Sequence, residues 1–110
     1  MRLQITVPPN TPAGKPVSAT GSFEASDTIH SVTIQIPTGH AYLTGIQVKR
    51  GDRGLIIVPA PGSNTDWIID DGRTIAFPLD IKLEPIRKEV IVYAYNIDDT
   101  YPHTFYVDVE

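Results

Sequence analysis

Three histidines are the first residues to ask about: His30, His40 and His103. Imidazoles bind zinc or iron, and a small barrel that holds a metal usually gathers two or three of them with a carboxylate. Here they are far apart in the chain, and no His-x-His pair exists. A metal centre therefore requires the fold to bring them together. The simpler expectation makes all three surface or loop histidines. The carboxylates are arranged more suggestively. Asp66, Asp70, Asp71, Asp98 and Asp99 all fall at expected strand ends. Loops at one end of a sandwich can pool such oxygens around Ca²⁺. The Asp-x-Asp-x-Asp-Gly spacing of a dedicated calcium loop is absent, and Asp is itself a turn former through its side-chain hydrogen bonds, so turn chemistry is the favoured reading. Paired carboxylates for glycoside hydrolysis need a cleft between them, and nothing in the order of residues places them there.

Nucleophilic and phosphate chemistry find less. Ser18, Ser22, Ser26, Ser31 and Ser63 lack a Gly-x-Ser-x-Gly elbow. The GDRG stretch at Gly51–Gly54 lacks the lysine and helix of a phosphate loop. Arg50-Gly51-Asp52 spells the integrin-recognition tripeptide, but these are ordinary residues for a hairpin tip. Trp67, Tyr42, Tyr93, Tyr95, Tyr101 and Tyr106 offer rings for stacking on a sugar. Tyr93 and Tyr95 share a parity with Ile91 and Ile97, which reads as core, and Trp67 beside Ile68-Ile69 reads as core or interface.

These residues are carried by short runs of alternating polarity. Arg2–Val7 alternates Leu3, Ile5 and Val7 with polar partners, then stops at Pro8-Pro9, since proline cannot donate to a sheet ladder. Asn10–Pro16 reads as an extended arm or loop that either wraps the domain's own surface or carries strand 1 onto a neighbouring subunit. Strands are expected at Val17–Glu24, Ile29–Ile36, His40–Lys49 and Leu55–Val58. A short apolar run, Trp67-Ile68-Ile69, comes before the Asp-Gly turn at Asp71-Gly72. From Arg73, Ile75, Phe77, Leu79, Ile81 and Leu83 share one parity, and Pro78 among them argues for an edge strand or a bend. Val90–Ile97 and Thr104–Val109 flank a polar break and read as a hairpin. Its first arm is apolar on both parities and therefore central. The second arm leaves Tyr106 and Asp108 on a wet or partner-facing side. Turns every 8 to 12 residues predict an all-β, single-domain sandwich of eight to nine short antiparallel strands, jelly-roll-like, spanning 1–110 with 1–16 as an N-terminal arm.

Composition narrows the function. The chain has 110 residues, no cysteine and a formal net charge of −4, so thiol catalysis, disulfides and zinc-thiolate sites are excluded. Nine scattered basic residues do not build a nucleic-acid surface. No apolar run approaches the ~20 residues of a membrane helix, and the N-terminus does not read as a signal peptide.

GHAYLTGIQVKRG (Gly39–Gly51), DWIIDDGRTIAFPLDIKLE (Asp66–Glu84) and YNIDDTYPHTFYVDVE (Tyr95–Glu110) resemble small all-β virion proteins of bacterial and archaeal viruses, both single jelly-roll capsid proteins and capsid-decorating proteins. The resemblance implies a non-enzymatic structural role in a virus particle, with no cofactor. It also implies self-assembly into a homo-oligomer, with other virion proteins as further partners. The expected contact residues are Leu3, Ile5 and Val7 on an arm that adds to a neighbour's sheet edge, with Trp67, Tyr101 and Tyr106. The rivals are a carbohydrate- or calcium-binding sandwich and a small cupin-like metal enzyme in which His30, His40 and His103 converge.

Overall fold

The structure is a computed structural model that describes residues 1–24, 26–60, 65–85 and 87–110. Ser63, one of the serines weighed above, lies outside the described residues. Eight strands form: β1 (Arg2–Val7), β2 (Val17–Ser22), β3 (Thr28–Ile36), β4 (Thr44–Arg50), β5 (Ile56–Val58), β6 (Arg73–Lys82), β7 (Glu89–Asn96) and β8 (His103–Val109). They lie in two four-stranded antiparallel sheets, ordered β1-β8-β3-β6 and β2-β7-β4-β5. Each strand of the first half pairs with its mirror-image mate in the second: β1 with β8, β2 with β7, β3 with β6 and β4 with β5. A long ribbon rolled up on itself in this way is the eight-stranded jelly roll.

Period-2 alternation sets which side chains enter the core. Ile5, Val7, Val32, Ile34, Phe105, Val107 and Val109 come from one sheet, and Ile46, Val48, Val58, Val90, Val92 and Ala94 from the other. Most are β-branched, which suits the pleated surface, and each of the Val, Ile and Phe side chains contributes about 1.5–3 kcal/mol when it leaves water. Phe23, Ile29 and Leu83 close the end of the core opposite the one that carries the histidine pair described below.

One expectation about strands needs correction. Val90–Ile97 and Thr104–Val109 do not form a hairpin. β7 lies in one sheet between β2 and β4, and β8 in the other between β1 and β3. Both are inner strands with apolar inward rows, and the two rows bury each other only when they face across the sandwich. Residues 97–102 are the arch that crosses between sheets. Residues 1–16 lie along their own domain. β1 pairs along its whole length with β8, and Met1 is tied to Val109 through both its amino group and its carbonyl. Asn10 and Thr11 then hydrogen-bond to Asp98 and Asn96 as the chain crosses to β2. Leu3, Ile5 and Val7 consequently pack on this chain's own core.

The expectation drawn from Pro78 agrees with the strand order, since β6 is an edge strand. The register shifts between Ile29 and Ser31: β3 advances two residues while β6 advances three, from Ile81 to Pro78, so the extra residue of the bulge lies on β6. The amides of His30 and Ser31 both turn to the Glu110 carbonyl. β5 is only three residues long against ten for β6, so the inner row Ile75, Phe77, Leu79 and Ile81 is half-buried. The sandwich is thus tight on its β1/β2 side and more open along β6.

Candidate functional site at the loop end

The rolled-ribbon order brings connections to one end, with described residues 8–16, 37–43, 59–60, 65–72 and 97–102. His40 and His103 both sit there, while His30 lies at the far end of β3. Only two of the three histidines therefore meet. Their ring centroids are 4.7 Å apart, tilted by 38°.

The turn before β4 places His40. Gly39, Ala41 and Tyr42 all take positive φ, at 117°, 50° and 61°. The last two are non-glycine residues in a conformation that costs roughly 1–2 kcal/mol each. Asp71 holds this backbone, since its Oδ1 accepts hydrogen bonds from the amides of Gly39 (2.9 Å) and Ala41 (3.0 Å). Those bonds hold the Asp71 carboxyl below the usual carboxylate range. The turn drives His40 inward until it is 2% exposed, so it is a buried histidine and not the surface or loop histidine expected. Its Nε2 donates to the Thr104 carbonyl at 3.0 Å, which makes Nδ1 of the neutral ring the acceptor for the Thr44 hydroxyl at 2.7 Å. Phe105 meets the same ring edge-on at 4.7 Å. Burial first, then the neighbouring His103, hold the His40 imidazole below its ordinary 6.5. With both nitrogens engaged by the protein, His40 has no lone pair directed at a metal.

His103 fills the same corner, with its side chain 9% exposed. Its Nε2 lies 2.8 Å from Asp98 Oδ2. Asp98 Oδ1 accepts from the Thr100 amide at 2.9 Å, and these contacts, the His103 hydrogen bond foremost, hold the Asp98 carboxyl low. Asn96 completes the corner. It is fully buried, its Nδ2 donates to the carbonyls of Val7 (3.2 Å) and Tyr101 (2.9 Å), and its Oδ1 accepts from the Asp98 amide (3.0 Å). The sequence reading passed over Asn96. A signal was present, because Asn96 shares the inward parity of Val90, Val92 and Ala94, where a polar residue needs partners. Every buried side-chain nitrogen and oxygen among the described residues has one.

The acidic residues follow turn chemistry. Asp70 pairs with Arg73 at 2.8 Å and caps the Asp71 amide. Among the described residues no group of three His, Asp or Glu side chains is placed to hold a metal. The Arg50-Gly51-Asp52 tripeptide lies at the opposite end and is internally paired. Arg50 Nε and Nη2 reach Asp52 Oδ1 and Oδ2 at 2.7 and 2.8 Å, with side chains 14% and 1% exposed. It presents no free Arg and Asp to a receptor.

The aromatics divide between the sheet faces and the loop end. Tyr95 is buried and Tyr93 half-buried, but neither belongs to the central cluster between the sheets. They lie on the outer face of the β2-β7-β4-β5 sheet, where Tyr95 is covered by Trp67 edge-on at 4.9 Å and Tyr93 by the Lys49 ammonium at 4.8 Å. The apolar second parity of β7 is covered at Tyr95 by a segment remote in sequence. Trp67 rides on Ile68, which bridges to Ile46. Burial pushes the Tyr95 phenol up from its ordinary value. Tyr106 lies on the outer face of the other sheet beneath the Arg2 guanidinium, 4.8 Å from its ring. Tyr101 and Tyr42 are each 65% exposed and Ile97 57% exposed, all at the loop end, where Ile97 borders a shallow groove of about 280 Å³ with Asn10 and Pro12. Of the expected contact residues, Tyr101 is fully presented, Trp67 and Tyr106 partly so, and Leu3, Ile5 and Val7 belong to the β1–core packing.

No family model, curated protein or solved structure matches the chain. Its function has to be argued from this end of the sandwich.

Proposed function

We propose that this chain is a non-enzymatic structural protein, a self-assembling component of a virus particle, and that the loop end is one of its contact surfaces. One observation carries the reading. The groups there that could do chemistry are turned inward to hold loops, while Tyr42, Ile97 and Tyr101 are turned out. Three large apolar side chains displayed together on a rigid end are a common mark of a protein contact. The jelly roll supports it further, because that architecture recurs in capsid domains, although it also serves lectins and cupins. The half-buried row of β6 gives a second apolar edge along which copies can pack.

Light scattering and native mass measurement on the purified chain, with metal analysis of the same sample, test this. The expected result is a metal-free assembly of defined mass that dissociates when Tyr42 and Tyr101 are both changed to Ser. A monomer at the highest soluble concentration, or a stoichiometric bound metal, would overturn it.

A further inference from the structure

His40 and His103 tie together segments that are otherwise separate. His40 belongs to the β3–β4 turn, His103 opens β8, and Asp98 belongs to the arch between the sheets. The two rings differ in what a proton would meet. A proton on His103 faces the Asp98 carboxylate 2.8 Å away. A proton on His40 has no anionic partner in contact: Nδ1 meets the Thr44 hydroxyl, Nε2 the Thr104 carbonyl, and the ring faces Phe105 and His103. The titratable or charged groups facing His40 are His103 from β8 and Asp71 from the β5–β6 connection, whose Oδ1 is already engaged by the Gly39 and Ala41 amides. Asp98 stands behind His103. β4 contributes only Thr44, and β1 places Val7 opposite His103.

We propose that the His40–His103 pair is a proton-operated latch, in which protonation of His40 in mild acid releases the β3–β4 turn and the β7–β8 arch and so reshapes the exposed Tyr42–Ile97–Tyr101 surface. The latch does not depend on what that surface contacts. Its direction follows from linkage. The closed end favours neutral His40, while an opened end lets the ring charge near 6.5. The closed form is therefore fully stable above that value. It loses stability as the pH falls below it, until the lower native value is passed. Within that window the opening equilibrium changes by up to about tenfold per pH unit for one proton. The consequence is local, because His30 and the Arg50–Asp52 pair lie at the other end.

Amide hydrogen exchange of the full chain between pH 7.5 and 5, corrected for intrinsic rates, reads the latch. Segments 39–43 and 97–103 should open about tenfold more per pH unit below about 6.5, while 51–55 stays level. His40→Gln keeps an amide able to donate to the Thr104 carbonyl but cannot titrate, and it should flatten the profile. An NMR titration of the unmodified protein should place the His40 ring below 6.5. In His103→Gln, which removes the facing imidazole, that midpoint should move upward. A wild-type exchange profile level with pH, the same slope in His40→Gln, a His40 midpoint at or above 6.5, or no upward movement in His103→Gln would each overturn the proposal. The two titrations decide the matter even where His40→Gln fails to fold.

Discussion

The Arg50–Asp52 pair allows the sharpest test of how this fold is held. Asp52 accepts both guanidinium hydrogen bonds and also the Glu84 amide at 3.0 Å, and Arg50 in turn reaches the Lys82 carbonyl at 2.7 Å. The pair thus ties the β4–β5 turn to the end of β6 at the edge of the core. The contacts, with the Arg50 hydrogen bond foremost, lower the Asp52 carboxyl from 3.8 to about 2. A full shift of that size corresponds to about 2 kcal/mol, which solvent screening at this partly wet end reduces to about 1–2 kcal/mol. Asp52→Asn keeps the shape and removes the charge. At pH 7 it should lower stability by about 1–2 kcal/mol, roughly 4–8 °C in Tm for a domain this small. The sign follows from linkage. The native carboxyl is depressed, so its contribution is present above about 3.8 and disappears as the pH falls through about 2. Urea unfolding at pH 7, 4 and 2 should show the two proteins converging, and Arg50→Met in the Asp52→Asn background should cost little more. A loss below about 0.3 kcal/mol at pH 7, or a gap that does not change with pH, would refute the assignment of the tripeptide to internal pairing.

Two further substitutions probe the sheet and the loop end. Gly45 lies under the Tyr95 ring, and a Cβ built there collides with it, so Gly45→Ala should cost about 1–3 kcal/mol and shift the fluorescence of Trp67, which packs on that ring. Asn96→Ala leaves the Val7 and Tyr101 carbonyls and the Asp98 amide without their side-chain partner. It should cost about 1–3 kcal/mol by denaturant unfolding and raise hydrogen exchange across 97–102, whereas an unchanged exchange rate would assign the arch's order to other contacts.

The elements were legible in the chain because alternation is a local property. Val32, Ile34 and Ile36 on β3 and Phe105, Val107 and Val109 on β8 declare their faces without reference to any partner. Pro78 declared an edge for the same reason, since a missing amide hydrogen is a property of one residue. What failed was pairing. Two strands joined by a short polar segment can lie side by side or face each other across a core, and both arrangements satisfy the same local pattern. The choice between them rests on β1, β2, β3 and β4, which flank β7 and β8 from the other half of the chain. The site was hidden for a related reason. His40 and His103 are brought together by ladders that pair β1 with β8 and carry β3 into β4, so no spacing of the two histidines in sequence announces the contact.

The same roll-up distributes charge unevenly, and this bears on how copies can meet. The loop-end connections carry Asp66, Asp70, Asp71, Asp98 and Asp99, against Lys15 and the Arg73 already paired with Asp70. The opposite end collects Lys49, Arg50, Arg53, Lys82, Arg87 and Lys88 among comparable numbers of acids. Two loop ends placed head to head would set like carboxylates against one another around Tyr42 and Tyr101, a juxtaposition that costs several kcal/mol where water is excluded. Under the proposed self-assembly, the aromatic end therefore meets a different surface of its neighbour. That contact is head-to-tail, and it yields a ring when the rotation closes and a lattice or filament when it does not. A two-fold dimer built on Tyr42 and Tyr101 is the arrangement this charge pattern argues against, and raised salt would favour it only by screening the five-carboxylate rim.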